Sequence, residues 1–310
     1  MKKTTFFLSI LLVVITVFLA NCNKTNSSPG SQSDSQLQTA VMQSAADEYR
    51  LQTDEESLSA DISTAVGANP SFTVASGSTA DSSLISGAII DKSIITASLK
   101  KIQIVYRGTS VFGVTRSGKI TIELVNGNNW AETGALLKID FEDIKITYFE
   151  RSATYNGTLY ITNVSGGLPY DPNHDSVIHR IRVNASVIFD DNSTLSWWAA
   201  RKNSYVKHNV SFASYGDTLI NGETYAMGGI NRYNNYFLVQ APQAIFSNLT
   251  CGFAKPVSGV RIFTLANKNV TVTFGTNANG SAVEGGDCAY GYKVEWSRWN
   301  GETGTAVISY

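Results

Sequence analysis

Charge of either sign is scarce in this chain, and the two signs nearly cancel. Lys and Arg number 24 and Asp and Glu number 25, so the net charge is −1, and charged residues make up 16% of the 310 positions. An average soluble domain carries about 25%. Nucleic-acid binding draws on many cations that neutralise phosphates, and no excess of them is present here. We therefore expect no nucleic-acid partner.

Histidines and the short motifs of common enzymes are also scarce. His174, His179 and His208 show no metal-ligand spacing, and each is more simply a surface or packed imidazole than a ligand or base. The D-x-N-x-D spacing at 171–175 matches the oxygen spacing of a Ca²⁺ loop but lacks its glycine and distal glutamate. We read it as a polar turn. The sequence thus predicts no catalytic residue, no metal and no cofactor.

The N-terminal apolar run is too short to span a membrane. Residues 6–20 are uncharged and apolar, against the roughly 20 residues that a spanning helix needs, and they follow Lys2 and Lys3. This pattern is typical of a secretion signal. The run ends in Leu19-Ala20-Asn21-Cys22, which resembles the lipobox of bacterial lipoproteins, where a diacylglycerol is attached to the cysteine and the peptide is cut before it.

This resemblance implies a signal peptide over 1–21, a lipid on Cys22 and a protein anchored at the cell envelope, in the outer membrane. A plain cleaved signal and an uncleaved anchor are the alternatives. Plain cleavage is disfavoured because no small-x-small pair precedes the cut. Each buried methylene group of an acyl chain contributes about 0.8 kcal/mol, so a multi-chain anchor would hold firmly.

The chain has only three cysteines, and assigning Cys22 to lipid leaves Cys251 and Cys288 as a pair. Disulfides form in oxidising compartments such as the bacterial envelope. We therefore predict a disulfide between them, with two free buried thiols as the alternative.

Three segments of different composition follow the signal. Residues 22–36 are rich in Ser and Asn, which is typical of a flexible tether. In 37–68, apolar residues recur at helical spacing, which predicts one or two helices. The acidic residues of this segment are most simply a solvated surface, with a partner-binding face as the alternative: Asp47, Glu48, Asp54, Glu55 and Glu56.

Alternation of apolar and polar residues dominates the rest of the chain and predicts many strands. Its longest run is 177–189, and Asp190-Asp191-Asn192 after it predicts a hairpin turn. The apolar parity flips at Glu142-Asp143, which predicts a β-bulge or turn. The predicted fold class is mainly β, with antiparallel, sandwich-like sheets and an N-terminal helix. The β-rich regions are 72–170 and 171–310, either separate or continuous.

Three hairpin segments resemble parts of uncharacterised lipoproteins of Bacteroidota. They are IVYRGTSVFGVTRSGKITI at 104–122, GALLKIDF at 134–141 and GTLYITNVSGG at 157–167, and Gly286-Asp287-Cys288 resembles the C-terminal cysteine of those proteins. The resemblance carries no catalytic signature. It implies an envelope location and a β-rich body.

Aromatic residues are the surplus of this sequence, with 14 Tyr, 14 Phe and 5 Trp. If Trp197-Trp198 lies in a strand, one ring faces the core and the other faces outward. Exposed rings among Asn and Asp would suit stacking on sugars or docking to a protein, while packing across a sheet is the simpler alternative. The candidate ligand-binding residues are Trp198, Trp299, Tyr233 and Tyr236.

Two functions follow from these observations. The first is a lipid-anchored envelope protein that is not an enzyme and serves as a binding or structural surface module. The alternative is a glycan-binding or glycan-processing lipoprotein. The expected partners are the membrane, through the lipid, and a glycan or an envelope protein.

Overall fold

The computed structural model describes residues 34–73, 80–96, 98–111, 113–148, 151–169, 173–207, 210–252, 255–265, 268–283, 287–297 and 303–310. The chain divides into two compact units, Met1–Leu37 and Gln38–Tyr310. The predicted signal peptide, Cys22 and tether residues 22–33 lie outside the described residues. So do His208 and Trp299, and Asp171 of the D-x-N-x-D turn. Within the described part, no helix is both long enough and apolar enough to cross a bilayer.

The described chain contains one helix and sixteen strands. The helix, α1, is Asp34–Gly67. The strands are Ala80–Asp81 (β1), Ala88–Asp91 (β2), Lys101–Val111 (β3), Val114–Asn126 (β4), Leu136–Tyr148 (β5), Arg151–Asn163 (β6), Ser176–Phe189 (β7), Thr194–Val206 (β8), Ser211–Gly216 (β9), Thr218–Ile220 (β10), Glu223–Ile230 (β11), Tyr236–Asn248 (β12), Ser258–Leu265 (β13), Lys268–Thr276 (β14), Gly291–Ser297 (β15) and Thr303–Ser309 (β16).

All sixteen strands belong to one antiparallel sheet. Neighbours in sequence pair from β1 to β8 and from β11 to β16. Between β8 and β12, β11 and β9 share one position: β11 pairs with the first half of each strand and β9 with the second half. Because β6 pairs with β7, the two predicted β-rich regions share this sheet. The predicted mainly β, antiparallel fold with an N-terminal helix is confirmed.

Helix α1 begins earlier than the sequence predicted. It starts at Asp34, so Asp34–Gln36, which we had assigned to the tether, are helical. The helical segment is one continuous element rather than two. A Ser and Gln composition is typical of tethers but is compatible with helix when the segment continues into a strongly periodic one.

The strands have one buried face and one exposed face. Burial alternates residue by residue along β7, and Val177, Ile181 and Val187 are among its buried residues. The predicted hairpin turn at Asp190-Asp191-Asn192 is confirmed: Asn192 has φ of 62°, and the Asp191 carboxylate accepts the Ser193 backbone N–H at 2.9 Å. Below, the inner face is the buried face, and the outer face is the opposite one.

The predicted β-bulge at Glu142-Asp143 is also confirmed. The pairing of β5 with β6 shifts between Phe141 and Ile144, and Asp143 has φ of 49°. The side chains of Asp143 and Asn156 secure the bulge, because the Asp143 N–H donates to Asn156 Oδ1 and Asn156 Nδ2 donates to Asp143 Oδ1, each at 2.9 Å. Before the bulge the odd-numbered side chains of β5 point inward, and after it the even-numbered ones do. The extra residue therefore lets both halves of the strand place apolar side chains in the core.

Gly118 of β4 makes the bulge possible, and its replacement should be costly. Its φ is 102°, and a Cβ there would lie 2.2 Å from the Asp143 carbonyl oxygen. We expect Gly118→Ala to lower the free energy of unfolding by about 3 kcal/mol or more, measured by urea denaturation. Gly113→Ala is the control: its φ is also positive, at 81°, but nothing lies within 4 Å, so it should cost only about 1 kcal/mol. Equal losses in the two variants would contradict the contact with the bulge.

Cys251 and Cys288 form a disulfide, as predicted. Cys251 follows β12 and Cys288 precedes β15, and the two Cα atoms are 5.1 Å apart. The bond therefore joins the β12–β13 connection to the β14–β15 connection at the same end of the sheet.

Asp47, Asp54 and Glu55 of α1 do not belong to a solvated surface, so the prediction is wrong for these three residues, while the side chains of Glu48 and Glu56 lie outside the described part. Asp47 is 4% exposed and Asp54 is 0% exposed. Glu55 is paired with Arg201 of β8, and both of these side chains are largely buried. Asp61 accepts the Tyr106 hydroxyl of β3 at 2.7 Å. These carboxylates face the inner side of the sheet, where side chains from distant strands hold them.

Asp54 has the most complete set of partners. The hydroxyl groups of Tyr148 (2.8 Å) and Tyr155 donate to its two oxygens, and Arg50 lies 3.5 Å away on the same helix. Burial raises the pKa of Asp54, although the two hydroxyls and Arg50 act in the opposite direction. The carboxylate is therefore costly to bury and depends on these contacts.

We expect Asp54→Leu to lower the free energy of unfolding by about 3 kcal/mol or more, because it leaves the buried Tyr155 hydroxyl and the part-buried Tyr148 hydroxyl without their acceptor and removes one of the two acceptors of Arg50. Asp54→Asn is the matched variant. It has the same shape and an amide that can accept from one hydroxyl and donate to the other, so it should stay within about 1.5 kcal/mol of the wild type. Urea denaturation measures both. If the two variants lose the same stability, the polar contacts do not explain the role of Asp54.

Candidate functional site

The outer face of β8 carries the outward ring of the tryptophan pair. Trp197 is buried on the inner face and Trp198 is half-buried on the outer face, so the predicted split of the pair is confirmed. Trp198 lies opposite Asn184 of β7 on one side and Gly228 of β11 on the other. It therefore stands at the centre of a sheet surface rather than at an edge.

The Trp198 ring packs over Gly228, where there is no side chain. A Cβ at position 228 would lie 2.8 Å from Cζ2 of Trp198 and 2.7 Å from Cδ2 of Leu238. The indole therefore covers the glycine and meets the β12 side chain across it. An aromatic ring that shields a strand glycine restores the packing that the missing side chain would provide. The ring is held in one orientation by this contact.

A second ring lies on the same face two strands away. Tyr236 of β12 is 59% exposed and pairs with Ile230 of β11, which is 44% exposed and pairs with Ser196 of β8. Neighbouring strands are about 4.8 Å apart, so Trp198 and Tyr236 are separated by about 10 Å across the strands. The structure thus brings two of the predicted ligand-binding residues together.

The side chains around these rings are uncharged. We call this surface the uncharged strip, and it consists of Asn184, Ser186, Ile188, Thr194, Ser196, Trp198, Ile230, Tyr236 and Leu238. Charged residues border it at both ends: Arg182 is 2.6 Å from Asp217 at one end, and the exposed Asp190 and Asp191 lie at the other, where Asp191 is 3.4 Å from Arg232.

Tyr233 lies beside the strip, in the turn between β11 and β12. The buried Asn231 organises this turn, because its Oδ1 accepts the N–H groups of Tyr233 and Asn235, each at 3.0 Å. The Tyr233 side chain is 47% exposed. Burial of the remainder raises its pKa. The turn therefore extends the aromatic surface past the end of the strip.

Arg232 in the same turn points into the protein. It makes a bidentate pair with Asp47 of α1, at 2.6 and 2.8 Å, and its guanidinium lies 3.6 Å from the centre of the Phe189 ring. The turn that displays Tyr233 is thereby attached to the first helix. Arg232, Ile188 and Ile230 were not among the residues that the sequence singled out. The two isoleucines could have been found from the sequence, because the alternation in β7 and β11 places both of them on the outer face.

Away from the strip, buried titratable side chains of the described chain are packed against rings or paired with side chains of the sheet. His179 of β7 is 3% exposed and lies between Trp130 and Tyr205, with ring centroids 5.1 Å away on each side. Burial lowers the pKa of His179 to about 4. It is a packed, neutral imidazole, as the sequence predicted for this residue. Asp47, Asp54 and Asp61, whose pKa values burial raises, attach α1 to the sheet.

His179 should make the protein sensitive to acid. The unfolded chain takes up a proton near pH 6.5, whereas the folded chain does so near pH 4. The full stability is therefore present above pH 6.5 and is lost as the pH falls towards 4, by about 3 kcal/mol in total. We expect His179→Phe, which keeps a ring between Trp130 and Tyr205, to lose less stability over this window. Urea denaturation from pH 7 to pH 4 measures the difference, and identical pH profiles would refute the assignment. The aspartates, whose raised pKa values act in the opposite sense, are common to both proteins.

Among the described residues, no group of three or more His, Cys, Asp or Glu side chains is arranged to hold a metal ion. The candidate site therefore consists of rings, amides and hydroxyls. Comparison with protein-family models, with curated proteins and with solved structures finds no match to this chain.

Proposed function

We propose that this protein is a lipid-anchored, non-catalytic surface module of the bacterial cell envelope, located in the outer membrane, and that the uncharged strip is its binding surface. The leader that ends at Cys22 supports the anchor. The strip supports a binding role, because exposed rings on a regular sheet form a preorganised contact surface.

One observation carries the binding role: Trp198 and Tyr236 lie on one uncharged outer surface and are held there by the sheet. The Trp198 ring packs over Gly228, and the backbone of Tyr236 is fixed at the start of β12 by its pairing with Ile230. Rigid aromatic side chains bind with a small loss of conformational entropy, and such residues carry much of the energy in recognition surfaces.

The interior supports the same function. The strongly perturbed groups of α1 are engaged with the sheet: Asp47 with Arg232, Asp54 with Tyr148 and Tyr155, and Asp61 with Tyr106. Burial raises their pKa values, and the donors from the sheet act in the opposite direction. The burial and pairing of these carboxylates therefore serve the fold.

The anchor is tested by Cys22→Ser in the full-length protein expressed in a bacterium with a lipoprotein pathway. We expect the wild type to enter the detergent phase of a membrane extract and to carry the added mass of acyl chains. The variant should lose both properties because serine cannot take the thioether-linked lipid.

The control is Cys251→Ser/Cys288→Ser, which removes the disulfide and leaves Cys22 in place. It should partition and be lipidated like the wild type. An unchanged mass and unchanged membrane attachment in Cys22→Ser would refute the proposed anchor.

A further inference from the structure

The uncharged strip has the chemistry of a carbohydrate platform. We propose that it binds a neutral polysaccharide, with the rings of Trp198 and Tyr236 stacking on sugar residues. This inference rests on the proposed function, since it names the ligand of the surface that we assign to binding.

The spacing of the rings suits a chain-like ligand. Trp198 and Tyr236 are two strands apart and offset by two residues along the strands, so their Cα atoms are about 12 Å apart, and Ile230 lies on the strand between them. Two sugar rings of one chain can span such a distance. A single small ligand would not reach both aromatic side chains, so the arrangement favours an extended polymer.

The polar groups of the strip match the edges of a sugar. A pyranose ring offers an apolar C–H surface to an aromatic face and hydroxyl groups around its rim. Asn184, Ser186 and Ser196 are exposed beside Trp198, and each has both donors and acceptors for such hydroxyls. The strip therefore offers stacking and hydrogen bonding together.

The strip itself carries no charge, and the cations beside Trp198 lie at one end of it. Arg180 and Arg182 share Asp217, at 2.8 and 2.6 Å, and Lys202 lies over the Tyr215 ring. A polyanion would therefore meet cations at that end only, whereas a neutral chain needs none along the strip.

The experiment is affinity electrophoresis of the full-length protein in detergent micelles, through native gels that contain a polysaccharide. The neutral panel is mannan, xylan, galactan and mixed-linkage β-glucan, and the acidic panel is polygalacturonate and hyaluronan. We expect at least one neutral polysaccharide to retard the wild type. Trp198→Ala and Tyr236→Ala should each weaken this retardation by about tenfold or more, as loss of a central aromatic contact does.

Tyr160→Ala is the matched control. Tyr160 of β6 is also on the outer face and 41% exposed, but it lies between Lys138 and Arg182, outside the strip. It should be retarded like the wild type. Tyr236→Ala is the decisive variant because a side chain that is 59% exposed can be removed without loss of the fold. Trp198→Phe, which keeps a ring over Gly228, should retain part of the binding.

The inference is overturned if no neutral polysaccharide retards the wild type, if only the acidic panel does so, or if retardation survives in Tyr236→Ala. Cys22→Ser separates this result from the anchor. Purified in the same detergent, that variant should still be retarded. A wild type that carries no lipid but is retarded would refute the anchor alone, and a lipidated wild type that is not retarded would refute the ligand alone.

Discussion

Acidic side chains buried between α1 and the sheet are the constraint on which the rest of the structure depends. Asp47, Asp54 and Asp61 are spaced seven residues apart, so they follow one another along a single helix face, and Leu51 and Leu58 fill the positions between them. Each carboxylate is expensive to remove from water unless it is matched by donors. The inner face supplies these donors from β3, β5 and β6 and from the β11–β12 turn.

The pairing of each aspartate with its own donors fixes the position of α1 on the sheet. A purely apolar stripe could slide along an apolar sheet with little penalty, whereas each aspartate of α1 has its own partners on a different strand. Asp47 connects this register to the outer surface, because its partner Arg232 belongs to the turn that carries Tyr233. The uncharged strip and the first helix are therefore parts of one packed unit, although they lie on opposite sides of the sheet.

Local patterns in the sequence predicted the strands well, since alternation and parity depend only on neighbouring residues. The bulge at Glu142-Asp143 and the opposite orientations of Trp197 and Trp198 are examples. The acidic face of α1 was misread because charge was taken as a sign of solvent, although the spacing of Asp47, Leu51, Asp54 and Leu58 follows a core stripe. Their tyrosine and arginine partners are far away in sequence. The proximity of Trp198 to Tyr236 likewise depends on β11 pairing with β8, which no local pattern reveals.

The contacts of α1 join residues that are far apart in sequence, and this affects the order in which the protein folds. Asp54 meets Tyr155 after 101 residues, and Asp47 meets Arg232 after 185. Protein synthesis begins at the N-terminus, so α1 is made early, whereas Arg232, its last partner, is made late. Closing such long loops slows folding. The earliest helix can therefore gain its last partner, Arg232, only after most of the strands have been made.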